Sequence, residues 1–261
     1  MLLALTAALL GLFAQFMESD TAPGLRHVSL LAREAVDRLP VLCLMPFGRH
    51  PAPAPQPWSD APPSDGSTHL PVLLVPGYGT NRSVFWPLCQ YLSGGGWRWL
   101  WAVNHAGKDA PMAQHVAQLD TQIRQLQDRS GASQIDLVGF SMGGIVCASY
   151  LKAHGNDRVR RLVTVGTPWQ GTRLARWARK HAGRTLHPGS RTLEGLLPVS
   201  VPVVSVWSPD DTVVVPARSA CPPGIAHVRI EGAGHVDLLM SARGFQAVSR
   251  ALVEPVQEDA E

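Results

Sequence analysis

Gly139-Phe140-Ser141-Met142-Gly143 places a serine between two glycines spaced two residues to either side of it. An apolar run, Ile135 to Val138, leads into it, and an apolar helical pattern from Ile145 to Leu151 follows. That context predicts a strand, a sharp turn and a helix, with Ser141 exposed at the tip of the turn as a nucleophile. The spacing has a steric origin. Such a turn brings neighbouring backbone so close that side chains two residues before and after the serine would collide, which favours glycine there. The turn also puts the Met142 amide at the start of a helix, where a free N–H and the helix dipole meet developing negative charge.

A serine hydroxyl becomes a useful nucleophile only when a base takes its proton and an acid orients and charge-stabilises that base. Of ten histidines, His27, His50, His69, His154 and His181 fall in loops or exposed positions, and His105 and His115 fall near the expected sheet edge. His235 alone stands in a glycine turn, Gly232-Ala-Gly-His-Val-Asp, between a terminal strand and a helix. The acid follows an earlier strand, in Ser208-Pro-Asp-Asp-Thr-Val-Val-Val-Pro216, where Asp210 and Asp211 are adjacent candidates. Asp237 reads as a helix-start charge. An oxyanion needs two N–H donors. Met142 supplies one by position, and the loop Pro76-Gly77-Tyr78-Gly79 would supply the other from the Tyr78 backbone, unless that loop is an ordinary glycine turn.

The elements that must hold these residues read as alternating buried strands and helices. Strands are expected at Val72–Val75, Trp97–Val103, Ile135–Val138, Val159–Val165, Val201–Trp207 and Ala226–Ile230. Helices are expected at Val84–Leu92, Met112–Gln127, from the nucleophile to about Ala153, and at Val236–Leu252. Fully apolar strands alternating with helices predict an α/β fold with a mostly parallel sheet covered on both faces. Between Thr172 and Pro198 lies an insertion without strand character, containing Leu174-Ala-Arg-Trp-Ala-Arg-Lys180 and Leu193-Glu-Gly-Leu-Leu197. It could form a lid over a lipid substrate or a cap that only covers a core edge.

The rest of the chain narrows the classes. At 261 residues, 45% hydrophobic and 16% charged, one sizeable core is expected. A net charge of +3 with no basic stripe argues against nucleic acid as a partner. Cys43, Cys89, Cys147 and Cys221 lack metal-ligand spacing, which argues against a structural zinc site and leaves the redox compartment open. Residues 1 to 17 carry no charge and are almost wholly apolar, a short membrane-associating pattern, and an amphipathic stretch from Ser29 to Met45 continues it. The expected organisation is a membrane-associating segment to residue 48, a Pro-rich linker over 49–71, a domain over 72–252 with the insertion at 173–198, and an acidic tail over 253–261.

Taken together, P-G-Y-G, G-F-S-M-G-G, G-T-P-W-Q-G-T, S-P-D-D-T-V-V-V-P and G-A-G-H-V-D-L-L resemble the motifs of bacterial lipases and esterases of the α/β-hydrolase superfamily, over roughly residues 70–252. The order serine, aspartate, histidine is that superfamily's order. The resemblance implies Ser141, Asp211 and His235 as a catalytic triad, with Asp211 favoured over Asp210 by a pattern S-x-x-D-x-[VI]-V that begins at Ser208. It also implies Tyr78 and Met142 as oxyanion donors and no metal or organic cofactor. The implied activity is cleavage of carboxylic esters, of lipid or acyl type, by a membrane-associated enzyme. Acyl transfer, thioester cleavage or polyester cleavage would use the same machinery. A non-catalytic binding protein of that fold is the alternative from another class. Two positions depart from the pattern: Pro76 where such lipases often carry histidine, and Trp169-Gln170 where histidine usually follows Gly-Thr-Pro. Both bear on the shape of the acyl pocket.

Overall fold

Six short strands are hydrogen-bonded side by side in the order β2-β1-β3-β4-β5-β6, and every neighbouring pair is parallel. They are β1 (Val72–Val75), β2 (Leu100–Ala102), β3 (Ile135–Phe140), β4 (Val159–Val165), β5 (Val203–Trp207) and β6 (Ala226–Arg229). The computed structural model describes residues 69–107, 110–177 and 180–254, together with residues 39, 41, 43–46 and 48. Helices α1 (Trp86–Gly94), α2 (Met112–Ser130), α3 (Met142–His154), α4 (Lys180–Leu186), α5 (Asp237–Met240) and α6 (Ala242–Val253) connect or follow the strands.

Alternation along the strands divides the core into two layers. On β1, Leu73 and Val75 join one layer with α2 and α3, while Val72 and Leu74 join the other with α1 and α6. Val116, Leu119, Ile123 and Leu126 recur along α2 at helical spacing and are all buried. Burying each such Leu or Ile stabilises the fold by roughly 1.5–3 kcal/mol relative to exposure. Both faces of the sheet are thereby covered, which is why the strands read as unbroken apolar runs.

Some boundaries differ from expectation for local reasons. The strand expected from Val201 begins at Val203, because Pro202 has no N–H to give the ladder and uses only its carbonyl, toward Leu162 N at 3.0 Å. The closing helix breaks at Ser241, which has extended backbone (φ −93°, ψ 156°) and caps α6 by accepting from Gly244 N at 3.2 Å. The insertion holds a 3-10 turn at Arg173–Trp177 and α4, with Ala175, Leu186, Leu193 and Leu196 buried on the α2–α3 side of the core.

Of the N-terminal segment, Val41 is buried in the α1–α6 layer, Asn81 Nδ2 donates to the Met45 carbonyl (2.8 Å), and Asn104 Nδ2 donates to that of Gly48 (2.9 Å). The apolar stretch 1–17, nearly all of the Pro-rich linker and residues 255–261 lie outside the described residues. Among the described residues, no helix is long and apolar enough to cross a membrane. The four cysteines are free thiols. Cys147 and Cys89 are fully buried, and burial pushes the Cys89 thiol up to about 12.

Candidate active site

The chain leaves β1 toward one edge of the sheet and returns to the other side of β1 with β3, so the strand order reverses between these two neighbours. Loops from the carboxyl ends of β1 and β3 meet where such a reversal opens a crevice in α/β sheets. The β1 loop is Pro76-Gly77-Tyr78-Gly79, and β3 ends at Ser141.

Among the described residues, Ser141 is the only non-glycine with positive φ (φ 53°, ψ −122°). A non-glycine residue held there is strained by about 1–3 kcal/mol and persists only where its surroundings enforce it. Three contacts do so: Ser141 N donates to Val165 O (2.8 Å), and Ser141 O accepts from Gly144 N (3.1 Å) and from Thr167 Oγ1 (3.0 Å). The flanking glycines are needed for space. A Cβ on Gly139 would lie 2.5 Å from the Gly144 backbone, and one on Gly143 would lie 2.1 Å from Val75 O. Gly144 is equally constrained, since its Cβ would sit 2.1 Å from Thr167 Oγ1. The motif spacing did not reveal that third requirement.

His235 is carried by the turn between β6 and α5, which is closed by Leu238 N donating to Gly234 O at 3.1 Å. Its Nδ1 lies 2.8 Å from Asp211 Oδ2, and both side chains are buried. A carboxylate only accepts, so Nδ1 carries a hydrogen, and in the neutral ring Nε2 is then the acceptor. Phe140, the residue before Ser141, packs its ring against the imidazole at 4.9 Å between centroids. That contact holds the His235 ring beside the Ser141 turn.

The two adjacent aspartates have separate roles. Asp211 Oδ1 accepts from the amides of Val213 and Val214, both at 2.8 Å, while its Oδ2 faces His235. Asp210 points elsewhere: its Oδ2 accepts from Gly232 N at 2.7 Å, tying the acid loop to the histidine turn. Ser208 Oγ accepts from Asp210 N (3.1 Å) and so shapes the same turn. Asp237 opens α5 and is buried, in keeping with its expected helix-start position. Gly166, at φ 55°, opens the G-T-P-W-Q-G-T motif, and its place against the His235–Asp211 pair was not legible there. A Cβ there would lie 3.1 Å from the His235 ring and 3.3 Å from Asp211 Oδ2.

The β1 loop abuts the serine directly, since a Cβ on Gly77 would come within 2.9 Å of Ser141 Cβ. Tyr78 follows, half-buried, and Met142 opens α3 behind the serine. Trp169 is buried rather than lining an open pocket, and Thr172 Oγ1 donates to Val213 O at 2.7 Å, fastening the start of the insertion to the acid loop. His105 and His115 lie edge to face, their centroids 4.8 Å apart.

A family model described as "alpha/beta hydrolase fold" matches residues 71–184. The mature Bacillus licheniformis lipase BlEst2 superposes with a TM-score of 0.62 at 16% identity, covering 78% of this chain and 94% of its own. Aspergillus fumigatus lipase B gives a TM-score of 0.62 at 15% identity, covering 88% and 69%. The Rhodococcus esterase RhEst1 gives 0.51 at 19% identity, covering 73% and 92%. Identities this low carry the architecture, not the substrate. On the sheet, the strand–turn–helix around Ser141 and these matches together, the chain is an α/β-hydrolase-fold protein.

Proposed function

We propose that the protein is a serine hydrolase that cleaves carboxylic esters, with Ser141, His235 and Asp211 as its triad. The observation that carries this reading is the buried His235–Asp211 pair at 2.8 Å, set beside a serine held at positive φ on a strand–helix turn. Neither a structural glycine turn nor a binding surface calls for all three features together.

In this reading His235 Nε2 takes the Ser141 proton as Oγ bonds to the ester carbonyl carbon and the carbonyl π electrons move to oxygen. The amides of Tyr78 and Met142 donate to that oxyanion. Asp211 stabilises the imidazolium through Nδ1–H and stays ionised, its other oxygen already held by two amides. The tetrahedral intermediate collapses, His235 returns the proton to the leaving alcohol, and an acyl-serine remains. Water, deprotonated by the same imidazole, then cleaves it to the carboxylic acid.

Lipid or acyl esters are the proposed substrates. The insertion beside the acid loop supports this with Trp177, a large apolar side chain that is 43% exposed. The uncharged stretch 1–17 supports membrane association. A chain-length series of p-nitrophenyl esters and triglycerides tests the substrate class. Turnover should rise toward long acyl chains and vanish in Ser141→Ala, by at least about 10⁴-fold. Unchanged turnover in that variant would refute the triad, and a preference for short acyl groups would refute the lipid assignment. Fractionating cells that express the full chain tests association, since recovery wholly in the soluble fraction would contradict it.

A further inference from the structure

His105 stands just past the end of β2, outside the triad, yet its Nε2 is 2.6 Å from the carbonyl oxygen of Pro76, the first residue of the β1 loop. A carbonyl can only accept, so Nε2 is the protonated ring nitrogen and donates. The same oxygen lies against the nucleophile helix: a Cβ on Gly143 would be 2.6 Å from it. The Pro76 carbonyl is thus held between the His105 ring and the first turn of α3.

The next carbonyl in the loop is also held. Gly77 O accepts from Thr80 Oγ1 at 2.9 Å and from Thr80 N at 3.3 Å. A trans peptide is planar, with C=O and N–H pointing in opposite directions. Holding the Gly77 oxygen toward Thr80 therefore directs the Tyr78 N–H the other way. Holding the Pro76 oxygen sets the plane of the preceding peptide, and with it the Gly77 Cα that touches Ser141. His115, buried on α2, braces the His105 ring edge to face.

We propose that His105 is the positioning residue of the oxyanion loop, its Nε2–H on the Pro76 carbonyl fixing the peptides that present the Tyr78 N–H beside Ser141. The proposal rests on the serine-hydrolase reading. Burial, and next the neighbouring His115 charge, lower the His105 pKa to about 4, so near neutral pH the ring is an uncharged donor with a single N–H. That N–H is committed to the loop. The loop geometry then does not depend on ionisation in the range where His235 must act as a base.

The test compares His105→Leu with His105→Gln, whose amide N–H reaches about as far as Nε2. The measurements are kcat and KM on a short p-nitrophenyl ester, inhibition by an alkyl trifluoromethyl ketone, and melting temperature. The ketone forms a serine hemiketal whose oxyanion occupies the same hole. In His105→Leu, kcat should fall about 10- to 100-fold with KM near wild type, and ketone inhibition should weaken by a similar factor. His105→Gln should restore most of both. Wild-type kcat in His105→Leu, or a loss in both variants that follows melting temperature alone, would overturn the proposal. If His105→Leu does not fold, the Gln variant decides: kcat and ketone inhibition near wild type support the proposal, and a large loss of either at unchanged melting temperature overturns it. Wild-type turnover abolished by Ser141→Ala shows the underlying reading to be sound, so failure here is separable from failure there.

Discussion

At Asp210 and Asp211, neighbouring carboxylates one residue apart are separated by what they bind. Asp211 accepts two amides on one oxygen and faces His235 with the other, while Asp210 closes the loop onto Gly232. Asp211→Asn should therefore lower kcat by about 10⁴-fold, because the amide favours the wrong imidazole tautomer. Asp210→Asn should leave kcat within about tenfold and lower stability by about 1 kcal/mol, the difference between a charged and a neutral acceptor for Gly232 N. Steady-state kinetics with thermal melts separates the two, and equal kinetic losses would contradict the assignment. Gly166 provides a second residue-scale test. Alanine there must adopt φ 55° and push its Cβ to 3.1 Å from the His235 ring. Kcat should fall about 10- to 100-fold, since small misplacements of a catalytic group are severe, and a wild-type kcat for Gly166→Ala would count against the proposed role of the imidazole.

Each element brings one site residue to the same end of the sheet, and the helices make those ends rigid. Ile123 is fully buried where α2 packs on α3, far from any proposed catalytic group in role. Ile123→Ala should destabilise by about 2–5 kcal/mol through the lost contacts and the cavity left behind. Its kcat per folded molecule should stay near wild type, measured below the melting transition with active-site titration. A parallel loss of kcat would mean that α2 packing sets the site geometry more directly than the backbone contacts of Ser141 do. The order of these elements is legible in the sequence because buried parallel strands are continuous apolar runs and α2 keeps its helical spacing. Ends are less legible. Pro202 and Ser241 act through a missing donor and a cap, effects of one residue that an apolar pattern passes over. The strained turn at Ser141 was readable because glycine spacing records a steric demand. The motif pattern favoured Asp211 over Asp210, but the partners that separate the two were not legible, since they depend on which amides the folded loop offers. Gly166 and Gly144 stand in the motifs and His105 falls near the expected sheet edge, but what each does was not legible for the same reason: their neighbours in space are 69, 23 and 29 residues away in sequence, at His235, Thr167 and Pro76.

At the scale of the whole molecule, folding places His105 and His115 in surroundings that lower both pKa values, burial being the larger cause for each. An imidazole in the unfolded chain titrates near its ordinary 6.5, whereas folded His105 titrates at about 4. Between those values the unfolded chain binds a proton that the folded protein refuses. Stability from this group is therefore complete above about pH 6.5 and declines as pH falls toward about 4. His105→Gln, which cannot titrate, should lose less melting temperature than wild type across that window, and the difference should vanish at neutral pH. Identical slopes would show that His105 titrates normally in the fold. The fold also sets the central claim, because a strained serine, a histidine and an aspartate from separate strand ends are assembled only in the folded protein. The most direct measurement of it is tandem mass spectrometry after reaction with a fluorophosphonate. The account predicts a single phosphonyl adduct on Ser141, absent in Ser141→Ala and strongly slowed in His235→Ala. No adduct on the folded wild-type protein, or one on a different residue, would contradict it.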